Sequence, residues 1–229
     1  MGTWRDPRNV RHDLEAFANI DDLADAAAAY IAQRARHCVA ETGRFTFAVS
    51  GGRTPRVMFQ KLSAYDVSWR EVTIFQVDER VVALGDGDRN LTSLSLVLGD
   101  LPVEVHPMRV DETDLEAAAR DYEGLLPDHF DLVHLGLGPD GHTASLVPND
   151  PVLDEETRLV AVTGPYQGHR RLTLTYRALA RASQLLWVVA GANKRTVLFQ
   201  LLNGDTSIPA GRVTAGASLV MADDRALGS

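Results

Sequence analysis

Apolar runs with strand character alternate along this chain with stretches of helical composition. Residues 45–49, 72–77, 131–135, 159–163, 171–175, 185–190 and 217–221 read as strands, rich in β-branched and aromatic residues and bounded by turn formers. Val103–His106 is a further short strand. Helices are expected at 21–41, 54–63, 90–98, 113–126 and 194–202. Such alternation predicts an α/β fold: an open, mainly parallel, Rossmann-like sheet covered by helices on both faces. No Pro/Gly/Ser-rich linker or repeat divides residues 1–229, so a single domain is expected. The acidic, Ala-rich stretch Asp111–Glu123 is a small excursion from the main sheet, and the polar residues 1–11 are expected to be disordered.

Four strands end in polar chemistry. After Phe45–Val49 comes Ser50-Gly51-Gly52-Arg53-Thr54-Pro55. Thr54 suits a helix N-cap and Pro55 a first helical residue. A glycine turn entering a helix leaves backbone N–H groups free at the positive end of the dipole, an arrangement suited to phosphate. The spacing is neither the dinucleotide fingerprint nor a P-loop. After 72–77 come Asp78, Glu79 and Arg80, which serve either as caps and surface ion pairs or as a site. After 131–135 comes Gly136-Leu-Gly-Pro-Asp140-Gly141-His142-Thr143-Ala-Ser145. A histidine held by a strand and next to an aspartate fits a general base near neutral pH. After 185–190 comes Gly191-Ala-Asn193-Lys194-Arg195, with Asn193 as the expected helix cap. Lys194 opposes the helix dipole there, a placement that an anion would relieve. It is one of only two lysines among 23 Lys and Arg residues, which hints at a need for a compact ammonium. In open α/β sheets ligands bind outside the carboxyl ends of the strands, so the four segments should converge.

Composition narrows the classes. A net charge of −8 argues against a surface built for nucleic acid. No stretch of ~18 apolar residues suggests a membrane span. The N-terminus shows no hydrophobic signal core, and Cys38 is alone, so no internal disulfide can form. Together these features predict a cytoplasmic protein. His12, His37, His106, His129, His134 and His169 show no helical pairing with an acidic partner, so no metal is expected. His134, inside a strand, reads as a hydrogen-bonded core residue. No redox cofactor motif occurs, and no cofactor is expected. Ser50 and Ser145 lack the Gly-x-Ser-x-Gly elbow of a serine nucleophile.

The motifs Ser50-Gly-Gly-Arg-Thr-Pro55, Asp78-Glu-Arg80, Gly136 to Ser145, Arg171-Leu-Thr-Leu-Thr175 and Gly191-Ala-Asn-Lys194 resemble the 6-phosphogluconolactonase family, within the wider group that includes glucosamine-6-phosphate deaminases. The resemblance runs over about 45–225. The first ~40 residues carry no family signal, and Arg89-Asn90 stands where the family often has Ser-Asn. A deaminase would read Asp-Gly-His-Ile-Ala-Phe-Asn-Glu at the third segment and Asp-Glu-Tyr at the second.

The resemblance implies hydrolysis of 6-phospho-D-glucono-1,5-lactone by a monomer or small homo-oligomer. His142 would take a proton from water, with Asp140 orienting it or touching the sugar. Arg80 or N–H groups near Gly141 would face the oxyanion. The phosphate would lie on Ser50, Gly51, Gly52 and Thr54 with Arg171 and Lys194. Asp78 and Glu79 would orient Arg80 or bind hydroxyls, and Asn90 and Thr143 complete the expected contacts. Two alternatives are a glucosamine-6-phosphate deaminase or isomerase and a non-catalytic sugar-phosphate sensor.

Overall fold

The computed structural model describes residues 12–99 and 101–228. The expectation for residues 1–11 lies outside them. In chain order the elements are β1 (His12–Phe17), α1 (Ile20–Thr42), β2 (Phe45–Val49), α2 (Arg53–Leu62), β3 (Val72–Gln76), β4 (Asp78–Arg80), α3 (Asn90–Leu98), β5 (Glu104–His106), α4 (Leu115–Glu123), β6 (Leu132–Leu135), β7 (Val160–Val162), β8 (Arg171–Leu174), α5 (Tyr176–Leu179), β9 (Leu185–Val189), α6 (Arg195–Leu202), β10 (Ser218–Asp223) and α7 (Asp224–Leu227). Seven strands form one parallel sheet in the order β1-β10-β9-β6-β2-β3-β5.

Successive residues of the central strands enter opposite cores. Leu186 and Val188 pack with Phe47, Val49 and Ile74 beneath α1, α2 and α3. Leu185, Trp187 and Val189 pack with Phe75, Val133 and Leu135 against α4, α5, α6 and α7. A strand buried on both faces must be apolar throughout, which is why these segments are continuous runs rather than alternating ones. Asn19 caps α1 by accepting from the N–H groups of Asp21 and Asp22, and Gly43 ends it in a left-handed conformation.

Two expectations need correction. Residues 159–163 and 171–175 do not join the main sheet. Their β7 and β8 pair antiparallel with each other, and β8 pairs with β4, in a separate three-stranded sheet. The reason is the connection. Tyr166 and His169 bridge across a two-residue turn in which Gln167 and Gly168 have φ of 51° and 87°. A tight hairpin with both central residues left-handed joins antiparallel strands, whereas parallel strands need a long crossover. This small sheet, with α4 against β7, is the excursion. The second correction is β1, which the apolar pattern does not announce. It lies at the sheet edge with its middle four residues exposed, so it needs no apolar run.

The chain passes outward through β2, β3 and β5, then returns to β6 and leaves the other way through β9 and β10. The loops after β2 and β6 therefore diverge from neighbouring strands and open a crevice at the carboxyl edge.

At the opposite end Ser218 ties three strands together. Its Oγ accepts from the indole N–H of fully buried Trp187 at 3.1 Å and lies 2.7 Å from His12 Nδ1. Ser218→Ala leaves the indole N–H buried without that partner, at a cost of about 1–3 kcal/mol. Urea unfolding should show this loss while turnover stays at the wild-type level.

Candidate active site

The crevice is a cleft of about 320 Å³ lined from all four strand ends. The loop after β2 supplies Ser50–Pro55, β4 supplies Asp78 and Arg80, the loop after β6 supplies Gly136–Pro139, His142 and Ala144, and the turn after β9 supplies Asn193 and Lys194. Arg171 enters from β8 and Asn90 from the start of α3. Four of the lining side chains are cationic: Arg53, Arg80, Arg171 and Lys194. Asp78 is the one lining carboxylate among the described residues.

The helix after β2 begins earlier than expected. Gly52, not Thr54, holds the N-cap position, and no side chain caps the first turn. Thr54 lies inside the helix, because Gly52, with φ of 121°, already turns the chain. The uncapped N–H groups of this turn border the cleft. Gly51 allows α3 to close on the loop, since a Cβ there would lie 2.0 Å from Asn90 Oδ1. Asn193 is likewise not a cap. It lies in a 3-10 turn, Ala192–Lys194, that precedes α6. That turn leaves the Lys194 side chain half-buried at the cleft wall.

His142 Nδ1 is 2.5 Å from Asp140 Oδ1. Burial opposes ionisation of Asp140, but the charge and hydrogen bonds of His142 and the hydroxyl of Tyr166 hold its carboxyl below the usual range. The loop is tight: the Gly138 N–H donates to His142 O at 2.7 Å, and the Gly141 N–H to Gly138 O at 3.0 Å. Gly138 makes room for the imidazole, since a Cβ would lie 2.1 Å from His142 Nδ1. The Gly141 N–H is thus committed inside the turn. Arg80 is half-buried at the cleft wall and braced by donating to Asp88 O at 2.6 Å.

Two expected contact residues are structural instead. Thr143 is buried and donates to Gly136 O at 2.8 Å, which pins the loop. Glu79 is fully buried. Its Oε1 accepts from the N–H groups of Arg80 and Asn90, and its Oε2 from Leu91 N–H and Gln76 Nε2, each at 2.8 Å. Burial raises its pKa despite these four donors. Glu79 therefore cannot meet a sugar hydroxyl; it clamps β4 to α3. Arg89 shares that buried site, with Nε 3.8 Å from Glu79 Oε2 and Nη2 2.9 Å from Asp111 Oδ1.

Neither serine is paired with His142. Ser50 Oγ donates to His134 O at 3.1 Å, and Ser145 Oγ to Asp78 Oδ2 at 2.5 Å. Ala144, φ 50°, takes the left-handed turn between His142 and Ser145. His134 is fully buried, accepts from Ser50 N–H, and is pushed down to about 3 by burial, so it stays neutral. Among the described residues no group of three or more His, Cys, Asp or Glu side chains could hold a metal ion.

The sequence reading missed two residues here. Arg53 stands within the first motif and lines the cleft. Tyr166, from the β7–β8 hairpin, donates to Asp140 Oδ2 at 2.9 Å. The Gln167-Gly168 turn was the available signal that a hairpin places its flanking residues at one point.

A family model described as glucosamine-6-phosphate isomerases/6-phosphogluconolactonase matches residues 18–221. The chain belongs to this family. The match starts at residue 18 and takes in α1, so the expectation that the first ~40 residues carry no family signal is corrected. A 6-phosphogluconolactonase of Synechocystis sp. is 34% identical over 82% of this chain and 84% of its own. One of Caulobacter vibrioides is 34% identical over 93% and 94%. The crystal structure of a 6-phosphogluconolactonase from Thermotoga maritima superposes with a TM-score of 0.85 at 27% identity, covering 93% of this chain and 100% of that one. No described helix is long and apolar enough to cross a membrane.

The Glu79 clamp gives a test. Glu79→Gln turns one acceptor oxygen into a donor facing two N–H groups. The variant should lose about 2–5 kcal/mol in chemical unfolding, from one or two unmet buried donors.

Proposed function

We propose that this protein is a 6-phosphogluconolactonase, hydrolysing 6-phospho-D-glucono-1,5-lactone to 6-phospho-D-gluconate, the second step of the oxidative pentose phosphate pathway. The observation that carries this reading is the His142 imidazole on the wall of a cationic cleft, with its Nδ1 2.5 Å from Asp140 Oδ1. With Nδ1–H donating to Asp140, Nε2 keeps a lone pair for a proton. His142 takes a proton from water as its oxygen attacks the lactone carbonyl carbon. The oxyanion that forms faces Arg80. Collapse breaks the bond from C1 to the ring oxygen, which leaves as a hydroxyl after receiving the proton from the imidazolium.

The phosphate belongs on the Ser50–Thr54 loop between Arg171 and Lys194. Burial holds both cations below their ordinary pKa values, so each gains from an incoming dianion. Asp78 and Asn90, joined by a 3.3 Å hydrogen bond, are placed for sugar hydroxyls. The deaminase alternative finds Leu146-Val147 where its motif would bring an Asn-Glu. A cytoplasmic setting is part of the proposal, supported by a lone, buried Cys38.

His142→Ala should lower kcat by about 10²–10⁴-fold, the usual worth of a positioned general base. The assay follows fresh 6-phosphogluconolactone, with spontaneous hydrolysis subtracted. Near-normal kcat would sink the assignment. Binding without turnover in the wild type would point to a sensor, and ammonia release from glucosamine 6-phosphate to a deaminase. Lys194→Ala should raise KM for the phosphorylated lactone by about 10-fold or more, as for a lost charged hydrogen bond. KM for gluconolactone without phosphate should be unchanged.

A further inference from the structure

We propose that Tyr166 is a positioning residue for the Asp140–His142 pair, locking the aspartate through its second carboxylate oxygen and joining that pair to Arg171. The proposal rests on the lactonase reading with His142 as base. Asp140 has two carboxylate oxygens: Oδ1 also accepts from the His142 backbone N–H at 3.3 Å, while Oδ2 is turned to the hairpin. Oδ1 meets His142 Nδ1 at 2.5 Å, and Oδ2 accepts from the Tyr166 hydroxyl at 2.9 Å. The phenol oxygen in turn accepts from Gln167 Nε2 at 3.2 Å, which directs its own proton to the carboxylate. The Tyr166 ring stands edge-on to the imidazole, with centroids 5.3 Å apart and 69° between planes. On another side the Arg171 guanidinium sits 4.9 Å from the ring centroid, and its Nη2 donates to Tyr166 O at 3.4 Å. One half-buried side chain thus touches the orienting acid, the base and a phosphate-side cation.

The hairpin fixes this geometry. Tyr166 and His169 bridge each other on both hydrogen bonds across the Gln167-Gly168 turn. Asp140 lies on an exposed loop whose own backbone holds only Oδ1, through a long 3.3 Å bond from the His142 N–H, so a donor on Oδ2 further restricts the rotation of the carboxylate. A shift of the carboxylate would rotate the imidazole with it and move Nε2 away from the attacking water.

Tyr166→Phe removes the hydroxyl and keeps the ring beside Arg171. The expected result is kcat lower by about 10-fold, the worth of one hydrogen bond to a charged group, with KM within about 2-fold of wild type. The acid limb of the kcat/KM profile should move to higher pH. The phenol O–H draws charge from Asp140, and without it more negative charge faces His142 and favours the imidazolium. The other charged groups around the pair, Lys194 from the turn after β9 and Arg171 from β8, are unaltered in this variant. Tyr166→Ala also removes the ring and should raise KM in addition. A Phe variant with wild-type kcat and an unmoved acid limb, or one changed only in KM, overturns the proposal. His142→Ala assayed beside them separates the two failures. If it is inactive while Tyr166→Phe is normal, only the tyrosine's role falls; if it is active, the base assignment falls and the positioning role with it.

Discussion

Burial of the central strands on both faces governs where chemistry can occur in this molecule. β2, β6, β9 and β10 have no exposed or half-buried position, and β3 has one half-buried residue. Side chains along such strands face a core on either side, and an unpartnered polar group there costs several kcal/mol. His134 shows the consequence: inside β6 it is neutral and its ring packs edge-on against Phe59. Polar groups that must meet solvent and ligand leave the sheet at its strand ends. The β2/β6 boundary, where the chain reverses its direction of travel across the sheet, is where those ends diverge enough to make a cleft.

The cleft is then stiffened by buried polar contacts rather than by the sheet alone. Glu79 holds Arg80, Asn90 and Leu91 by their N–H groups, and Asn90 lies against Gly51 of the loop after β2. One carboxylate thereby sets the spacing between a candidate oxyanion group and the candidate phosphate loop. Asp78 does the same on the other side, with Ser145 on Oδ2 and Asn90 on Oδ1, so that the small antiparallel sheet and the loop after β6 share a fixed point. All of these contacts except Glu79 with its neighbour Arg80 join residues at least 11 positions apart in sequence.

That distance explains what the sequence could and could not reveal. The parallel sheet, the four chemical strand ends, and His142, Lys194 and the Ser50–Thr54 loop were legible because strand character and the residues following it are local signals. The direction of a side chain in a short segment is not local. Glu79 and Thr143 sit in the right motifs yet point inward, and nothing in Asp78-Glu79-Arg80 tells which of the three faces the cleft. The pairing of β7 and β8 depended on a two-residue turn, not on their own composition, and Tyr166 reaches Asp140 across 26 positions of sequence. Arg89 stands beside cleft-lining Asn90 in sequence. Here it is buried between Glu79 and Asp111, so its guanidinium belongs to the clamp rather than to the substrate.

The charge pattern follows from the same architecture. A chain of net charge −8 gathers four cations around one cleft, with Asp78 the one lining carboxylate among the described residues. Two of those cations, Arg171 and Lys194, are held below their ordinary pKa by burial, so the resting site is electrostatically under-compensated. A phosphate entering there regains Coulomb energy in a partly desolvated space, where it is worth more than at an open surface. The same cations would lower affinity for an uncharged lactone only by what they lose in hydration, so discrimination between the two substrates comes from the phosphate itself. Binding energy drawn from the phosphate end can then hold the lactone carbon against His142, as positioning by a remote group requires.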